Sequence, residues 1–566
     1  MRIAAVLLGL LVVVAVALWA GESGSAVPGA KDLAGGALGP FDVSRGIKGA
    51  GDETAAFRAI VAENRHVLIP AGFTVTISGT VPVPADTVIE GPGTIHLTAR
   101  GATFSVAERC VLSGLRFTCT QGFAHGNAVT AETAAQGTVR KMDCRIAACR
   151  FERMHGGALA ASEVSHLAFE DNYWENHSPN SLYYNPTLLR AVSDSRITGN
   201  TILHGNQGIL FRGGRYNTVT GNHLENCLQG ITCHTSGGHP EHWPYTLFAH
   251  NVIANNVIRR LREEGIAYDC SMGETPAVNA AQNQVRAVVT VKAAAAGDAN
   301  RFRVTLNEAA NPGKAYAKGW ADHYYAGVLT GDAAGMLLEI IESGEDGGGW
   351  LDLPRLSAEL PGRLKAGDRL WIAAGCFYNT LTGNVVDNAG MVSGTGNATC
   401  IGLWGSAWHN QIAGNVCTTR QYGITLGCVG LARPESPQGP CAGNIISGNT
   451  VAGSWRSPAT KGEETGAGAI AFVCIGDGPL LGGRLFLGNQ IVSNALSWAG
   501  RNPVRLTRDH GSYVGHNRIS DAGAAITMEH TTGAVLEGNR TMAGTPVTEV
   551  RTTGSCTYRC LDQLAK

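Results

Sequence analysis

The stretch Ser195-Arg-Ile-Thr-Gly-Asn-Thr-Ile-Leu-His-Gly-Asn-Gln-Gly-Ile-Leu-Phe-Arg212 is followed almost at once by Arg215-Tyr-Asn-Thr-Val-Thr-Gly-Asn-His-Leu-Glu-Asn-Cys-Leu-Gln-Gly-Ile-Thr-Cys-His234. The two are one phrase written twice. Apolar and polar residues alternate at period two, and a Gly-Asn turn separates the short strands. Asn200 and Asn222 lie 22 residues apart, the length of one coil, and the phrase recurs around Asn256, Asn384, Asn415, Asn449, Asn489, Asn517 and Asn539. A unit this small cannot bury its apolar side alone. Stacking the units closes a core and pairs each strand with the coil above and below. The repeated asparagine then reads as an internal ladder that satisfies buried amides.

Working outward, the pattern holds on both sides of one interruption. From about Pro276 to Ala374 the Asn phrase is replaced by alternating runs, Gln284–Ala293, Arg301–Leu306, Met336–Ile341 and Arg369–Ala373, with turn residues at 345–349 and 364–370. Such runs predict a small antiparallel barrel or sandwich. The chain is therefore expected to be all-β: a right-handed parallel β-helix solenoid with an inserted antiparallel β domain. The expected divisions are an export segment or anchor at 1–26, solenoid at 38–275, insert at 276–375, solenoid again at 376–554, and a tail at 555–566. Abundant glycine (75 of 566 residues) and only 16% charged residues suit many short strands and tight turns.

The stretch Phe41-Asp-Val-Ser-Arg-Gly-Ile-Lys-Gly-Ala-Gly-Asp-Glu-Thr-Ala-Ala-Phe57, with Val67-Leu-Ile-Pro-Ala-Gly72 and Ile89-Glu-Gly-Pro-Gly-Thr-Ile95, resembles the opening of pectate-lyase-superfamily β-helices, shared with family-28-like glycosidases and phage tailspikes. The resemblance spans about 41–270 and 376–550. It implies a short helix at Thr54–Glu63 that caps the open end, where an uncovered sheet edge would otherwise lie. It does not fix a reaction, because this fold hosts lyases, hydrolases, epimerases and inert binders. The Gly-His-Gly and paired-aspartate motifs of family-28 polygalacturonases are missing from the expected coils, with Asp509-His510-Gly511 the nearest fragment. The Asp-Pro-His-Asp motif of alginate epimerases is also missing. No catalytic residue is carried over from either.

Met1-Arg2, an apolar run from Ile3 to Trp19 and a small polar segment predict export, with the segment either cleaved or kept as a membrane anchor. Export permits disulfides among the 15 cysteines, and Cys428/Cys441, Cys144/Cys149 and Cys556/Cys560 are the candidate pairs. Cys233 and Cys417 fall on inward positions and read as buried thiols. A net charge of −1 gives no global field to draw nucleic acid, so charge selectivity must be local.

Aligning the units on their Gly-Ile strand puts Ile209, Phe211, Ile231, Cys233, Ile266 and Tyr268 inward. Arg212, His234 and Asp269 then form one outward column on successive coils, with Trp404 following. A second set, Gln207, Gln229 and Glu264, precedes the glycine. Tyr184 is expected to join the first column from an earlier coil. Trp243, in the long loop after His234, is placed to stack on a sugar ring or simply to pack that loop.

Arginine clamps carboxylates, histidine takes a proton near neutral pH and tyrosine returns one. Arg212, His234 and Tyr184 therefore suit β-elimination or C5 epimerisation of a uronic acid. Glu264 and Asp269, with Glu274 as a possible third partner, suit a glycoside hydrolase. The non-enzyme alternative is a glycan-binding or envelope-structural solenoid, since outward positions are polar in any case. A polysaccharide is the expected partner under every reading. His234, His239 and His242 are weak metal-ligand candidates, because a Gly-Pro-rich loop imposes no geometry. Calcium bridging a uronate is what many pectate-lyase relatives would imply, but no carboxylate cluster in the sequence demands it. Tailspike-like solenoids trimerise, and the sequence leaves a homo-oligomer open.

Overall fold

A computed structural model of the chain describes residues 39–49, 51–121, 126–132, 139–179, 184–234, 247–269, 286–307, 324–345, 349–373, 375–389, 399–429, 440–453, 468–475, 485–499, 502–520, 526–547 and 550–561. The segment expected to direct export, Trp243, His239, His242 and Glu274 lie outside them, as does the side chain of Asp269. No helix among the described residues is long and apolar enough to cross a membrane.

Each coil contributes three short parallel strands. In one coil these are Arg196–Thr198, Thr201–Leu203 and Gln207–Arg215, and in the next Thr218–Thr220, His223–Glu225 and Gln229–His234. Every strand pairs in parallel with its counterpart one coil on. Among the described residues two faces merge into a 36-stranded sheet, and the third forms a 14-stranded sheet. Inward side chains from all three faces fill one continuous apolar core, from Val43 to Leu536. The amino-terminal end is covered by the helix Thr54–Glu63, where the sequence pattern predicts one. Phe57, Ile60 and Val61 face the first coils, and Phe57 meets Phe104 edge-on at 5.8 Å. Asp52 fixes the helix start by accepting from Thr54 N–H and from the hydroxyls of Thr54 and Ser78, and these bonds hold its pKa at about 2.

The expected single asparagine ladder is two ladders at two corners. One runs Asn172, Asn200, Asn222, Asn256, Asn384, Asn415, Asn449, Asn494, Asn517, Asn539, each donating its amide to the next carbonyl oxygen at 2.9–3.0 Å. The other runs Asn217, Asn251, Asn379, Asn410, Asn444, Asn489 at 2.9–3.0 Å and is continued by Ser512. Asn489 belongs to this second corner, and Asn494 takes the place expected for it in the first. The Gly-Asn phrase serves both corners because each needs a left-handed turn residue followed by an amide facing the core.

The insert is a seven-stranded antiparallel sheet with its own core, which includes Val289, Val291, Phe302, Val304, Leu351 and Leu370. Its strands include Arg286–Ala296, Arg301–Leu306, Leu337–Glu339 and Arg369–Ala373, close to the expected runs. It docks on the second ladder's corner. Tyr325, Leu329, Leu337 and Trp371 pack against Leu247, Phe377 and Trp408 of the solenoid. Trp371 Nε1 donates to Ser406 Oγ at 2.7 Å, Tyr378 donates to Leu337 O at 2.9 Å, and Arg215 pairs with Glu339 at 2.6 Å.

All fourteen cysteines among the described residues are thiols. The expected Cys144/Cys149 pair is not made: Cys144 Sγ donates to Ala107 O at 2.8 Å on the coil below, and Cys149 Sγ donates to Ala147 O at 3.4 Å. Cys428 and Cys441 do adjoin, with 4.0 Å between sulfurs, while Cys556 and Cys560 are partly buried thiols. Cys233 and Cys417 are buried in the core.

Candidate functional site

The Gly-Ile strands stack in a register that fixes the outward column. Arg190 pairs with Arg212, His234 with Asp269, and Asp269 with Trp404, while Phe211 opposite Cys233 sets the step between Arg212 and His234. Neighbouring members are thus about 4.8 Å apart along the stack. Tyr184 is not in this column. It lies in the turn before Thr187–Ser193, half-buried against the core, with its ring centroid 6.4 Å from His155 and 6.1 Å from His177. Arg190 holds the position expected for it. The sequence signal was there: Leu189 inward and Arg190 outward stand 22 residues before Phe211 and Arg212. The strand lacks the Gly-Ile opening that marks the others.

Arg190 and Arg212 place two guanidinium groups on adjacent coils. Burial, and then the charge of Arg190, push the Arg212 pKa down from its ordinary value. The outward residues just before the column, Leu210, Thr232 and Ala267, are buried too, so this strip of the face is enclosed rather than flat.

The second set is one hydrogen-bonded chain. Gln207 Nε2 donates to Gln229 Oε1 at 2.8 Å, and Gln229 Nε2 donates to Glu264 Oε2 at 3.2 Å. Trp404 Nε1 donates to the other oxygen, Glu264 Oε1, at 3.0 Å. Gln229, Glu264 and Trp404 are all buried. Trp404, expected to follow in the outward column, turns its indole over Gly427 and back to Glu264. His234 Nε2 sits 3.1 Å from Gln229 Oε1. That oxygen already accepts from Gln207, and the Gln229 amide nitrogen is spent on Glu264. The His234 Nε2 must therefore carry the proton, which makes Nδ1 the basic atom of the neutral ring.

Among the described residues no three His, Cys, Asp or Glu side chains converge as metal ligands. Glu264 accepts from two N–H donors, one on each carboxylate oxygen.

The model of a right-handed β-helix region matches residues 134–309, which include Arg190, Arg212, His234 and Glu264 but not Trp404. The chain is a right-handed parallel β-helix. No curated protein sequence matches it. Among solved structures, this β-helix is similar to a tailspike protein mutant of the E. coli bacteriophage HK620 in complex with a pentasaccharide, at 9% identity and a TM-score of 0.37, covering 89% of this chain and 77% of that one. It is also similar to the catalytic unit of a GH87 α-1,3-glucanase from Streptomyces thermodiastaticus strain HF3-3, at 12% identity and a TM-score of 0.31, covering 93% of this chain and 69% of that one.

On the β-helix the two residue sets meet at His234 and Trp404. Each belongs to the outward column and each bonds to the buried chain. Arg190, Arg212 and His234 thus lie on three successive coils beside Gln207, Gln229 and Glu264.

Proposed function

We infer that this protein acts on an acidic polysaccharide along its Gly-Ile face, as a lyase or C5 epimerase, with the segment at 1–26 directing it out of the cytoplasm. The observation that carries the reading is the pairing of Arg190 with Arg212 one coil from His234, whose Nε2 is committed to Gln229. Two adjacent guanidinium groups make a seat for a carboxylate, and an arginine–carboxylate contact draws charge from the uronate and acidifies its C5 proton. His234 Nδ1 takes that proton. In elimination the C5 electron pair forms the C4–C5 double bond, the C4–O bond breaks, and the leaving oxygen takes a proton from solvent. In epimerisation a proton returns to the opposite face of C5. The Gln207–Gln229–Glu264–Trp404 chain acts as a positioning scaffold, since each member fixes the next.

A glycoside hydrolase through Glu264 and Asp269 is the second reading, supported by the burial of Glu264 on the same face.

The test is incubation of the protein with polygalacturonate, alginate and glucuronans while ultraviolet absorbance, reducing ends and exchange of the C5 proton are followed. Absorbance growth or C5 exchange is expected, reduced about 10²–10⁴-fold in His234→Ala. Reducing ends without absorbance, lost in Glu264→Gln, would transfer the assignment to the hydrolase. Turnover unaffected by His234→Ala would end the histidine mechanism.

A further inference from the structure

A second site is built where the insert overhangs the solenoid. The corner of the second asparagine ladder carries, just before each ladder residue, a side chain in the left-handed turn conformation. On four successive coils these are Tyr216, His250, Tyr378 and His409, with φ between 54° and 57°. Their rings stack face to face, at centroid distances of 5.0, 5.1 and 5.2 Å and interplanar angles of 12°, 11° and 15°. The insert covers this column. Tyr325 OH lies 3.1 Å from His250 Nε2, and His409 Nε2 donates to Gly335 O at 2.9 Å.

Beyond His409 the same turn position is glycine on three coils, Gly443, Gly488 and Gly511, again with positive φ. A Cβ on Gly443 would strike the His409 ring, whereas nothing lies within 4 Å of one on Gly488 or Gly511. The ring column therefore ends in a wall, the His409 imidazole, and a bare backbone floor follows. The insert still overhangs that floor. The result is a cleft of about 880 Å³, bounded below by Gly443, Leu487, Gly488, His510 and Gly511 and above by Leu329, Thr330, Met336 and Arg369.

We propose that this cleft is a binding site for a short acidic oligosaccharide, apart from the Gly-Ile face. Sugar rings have apolar faces and hydroxylated edges. The floor offers bare backbone and Leu487 for the faces, and His510 below and Thr330 above face the edges. Coils repeat about every 4.8 Å, so the glycine run of three coils is long enough for two or three sugar rings. Arg369 supplies the charge. It is half-buried and has no ion pair among the described residues. The acids on neighbouring insert residues are engaged elsewhere: Asp332 pairs with Lys365, and Asp368 accepts from Lys365 N–H at 2.8 Å. The ligand class rests on the acidic-glycan reading above, and the location does not. The site would hold the polymer while the Gly-Ile face works on another stretch of it.

The experiment is calorimetric titration of the full chain in the His234→Ala background, so that turnover does not consume the probes. The probes are tetrasaccharides of galacturonate, mannuronate and glucuronate. One of them is expected to bind, and Ala334→Trp, which fills the mouth of the cleft, is expected to weaken that binding at least tenfold. Arg369→Gln should weaken it as well while leaving a neutral tetrasaccharide unaffected. If both variants keep the parent melting temperature and bind as the parent does, the proposal is overturned. Failure of all three probes to bind overturns it too. Loss of binding in Ala334→Trp, together with no turnover of any polymer by the chain that keeps His234, would leave the cleft standing and reject the Gly-Ile site, so the two failures are separable.

Discussion

Gln229 decides the chemistry open to His234. An amide in the middle of a fixed chain offers its oxygen to the imidazole, and this orients the ring and selects its tautomer. Gln229→Leu is therefore expected to lower turnover without abolishing substrate binding, and to shift the acidic limb of the pH profile, where the base becomes protonated, because the ring loses the acceptor that fixed its proton. An unchanged profile would show that the ring is held by other contacts. A second residue carries a stability signature of its own. Asp509, near the corner glycines, is fully buried, and burial raises its pKa to about 7 against two bonds from Ser512 that lower it. The folded state thus holds this proton up to about pH 7, while the unfolded chain releases it near pH 4. Stability from this group is fully present below about pH 4 and lost as pH rises through 7. The loss amounts to at most about 4 kcal/mol. Asp509→Asn keeps an acceptor for Ser512, and its urea midpoint at pH 8 should exceed that of the parent, with the difference vanishing near pH 4. A deficit at pH 8 would mean that the carboxylate is ionised and compensated in the fold.

At the scale of the element, the coil repeat carried most of what could be read from sequence. Period-two alternation fixes which side chains enter the core, and the Gly-Ile opening of each strand fixes which residues share a column even where coil lengths differ, so Arg212, His234 and Asp269 could be aligned without coordinates. Two things escaped that logic. Tyr184 was misplaced because the strand after it opens Pro186-Thr-Leu-Leu-Arg190, without a glycine to anchor the register. The burial of Gln229, Glu264 and Trp404 was hidden because alternation says which face a residue is on and nothing about what that face is packed against. The ladders make the element-scale prediction. Asn384 accepts from both the amide and the backbone N–H of Asn256, and donates to Asn415 and Ile253 O. Asn384→Ala strands those groups in a dry core, at about 1–3 kcal/mol for each one left unsatisfied. Asn539 ends its ladder, accepting from Asn517 and donating to Val514 O. Asn539→Ala should cost less, and equal losses in urea titration would contradict a ladder whose interior members each serve two neighbours.

For the whole molecule, the question is what the insert does for the solenoid. The coils do not need it for their pairing. Asn251 bonds to Asn379 and Asn256 to Asn384 across 128 residues of sequence as neighbours in the stack. Closing so long a loop costs little more than closing a short one. The two ends of the insert also meet, since Arg286 and Ala373 are direct antiparallel partners. Residues 286–373 can therefore be replaced by a short glycine-serine linker without stretching the chain. What the solenoid loses is cover. Leu247, Phe377 and Trp408 are buried only jointly with insert residues, and the aromatic column Tyr216–His409 runs beside them. Uncovered, they form an apolar patch of the kind that drives association. The shortened protein is expected to keep its strand signal by circular dichroism and its turnover on the Gly-Ile face. It should also bind a hydrophobic dye, self-associate in sedimentation, and lose the oligosaccharide binding assigned to the cleft. Retained turnover with lost binding would separate the two sites physically. Loss of both, with the strand signal intact, would mean that the insert shapes the Gly-Ile face as well as the corner on which it sits.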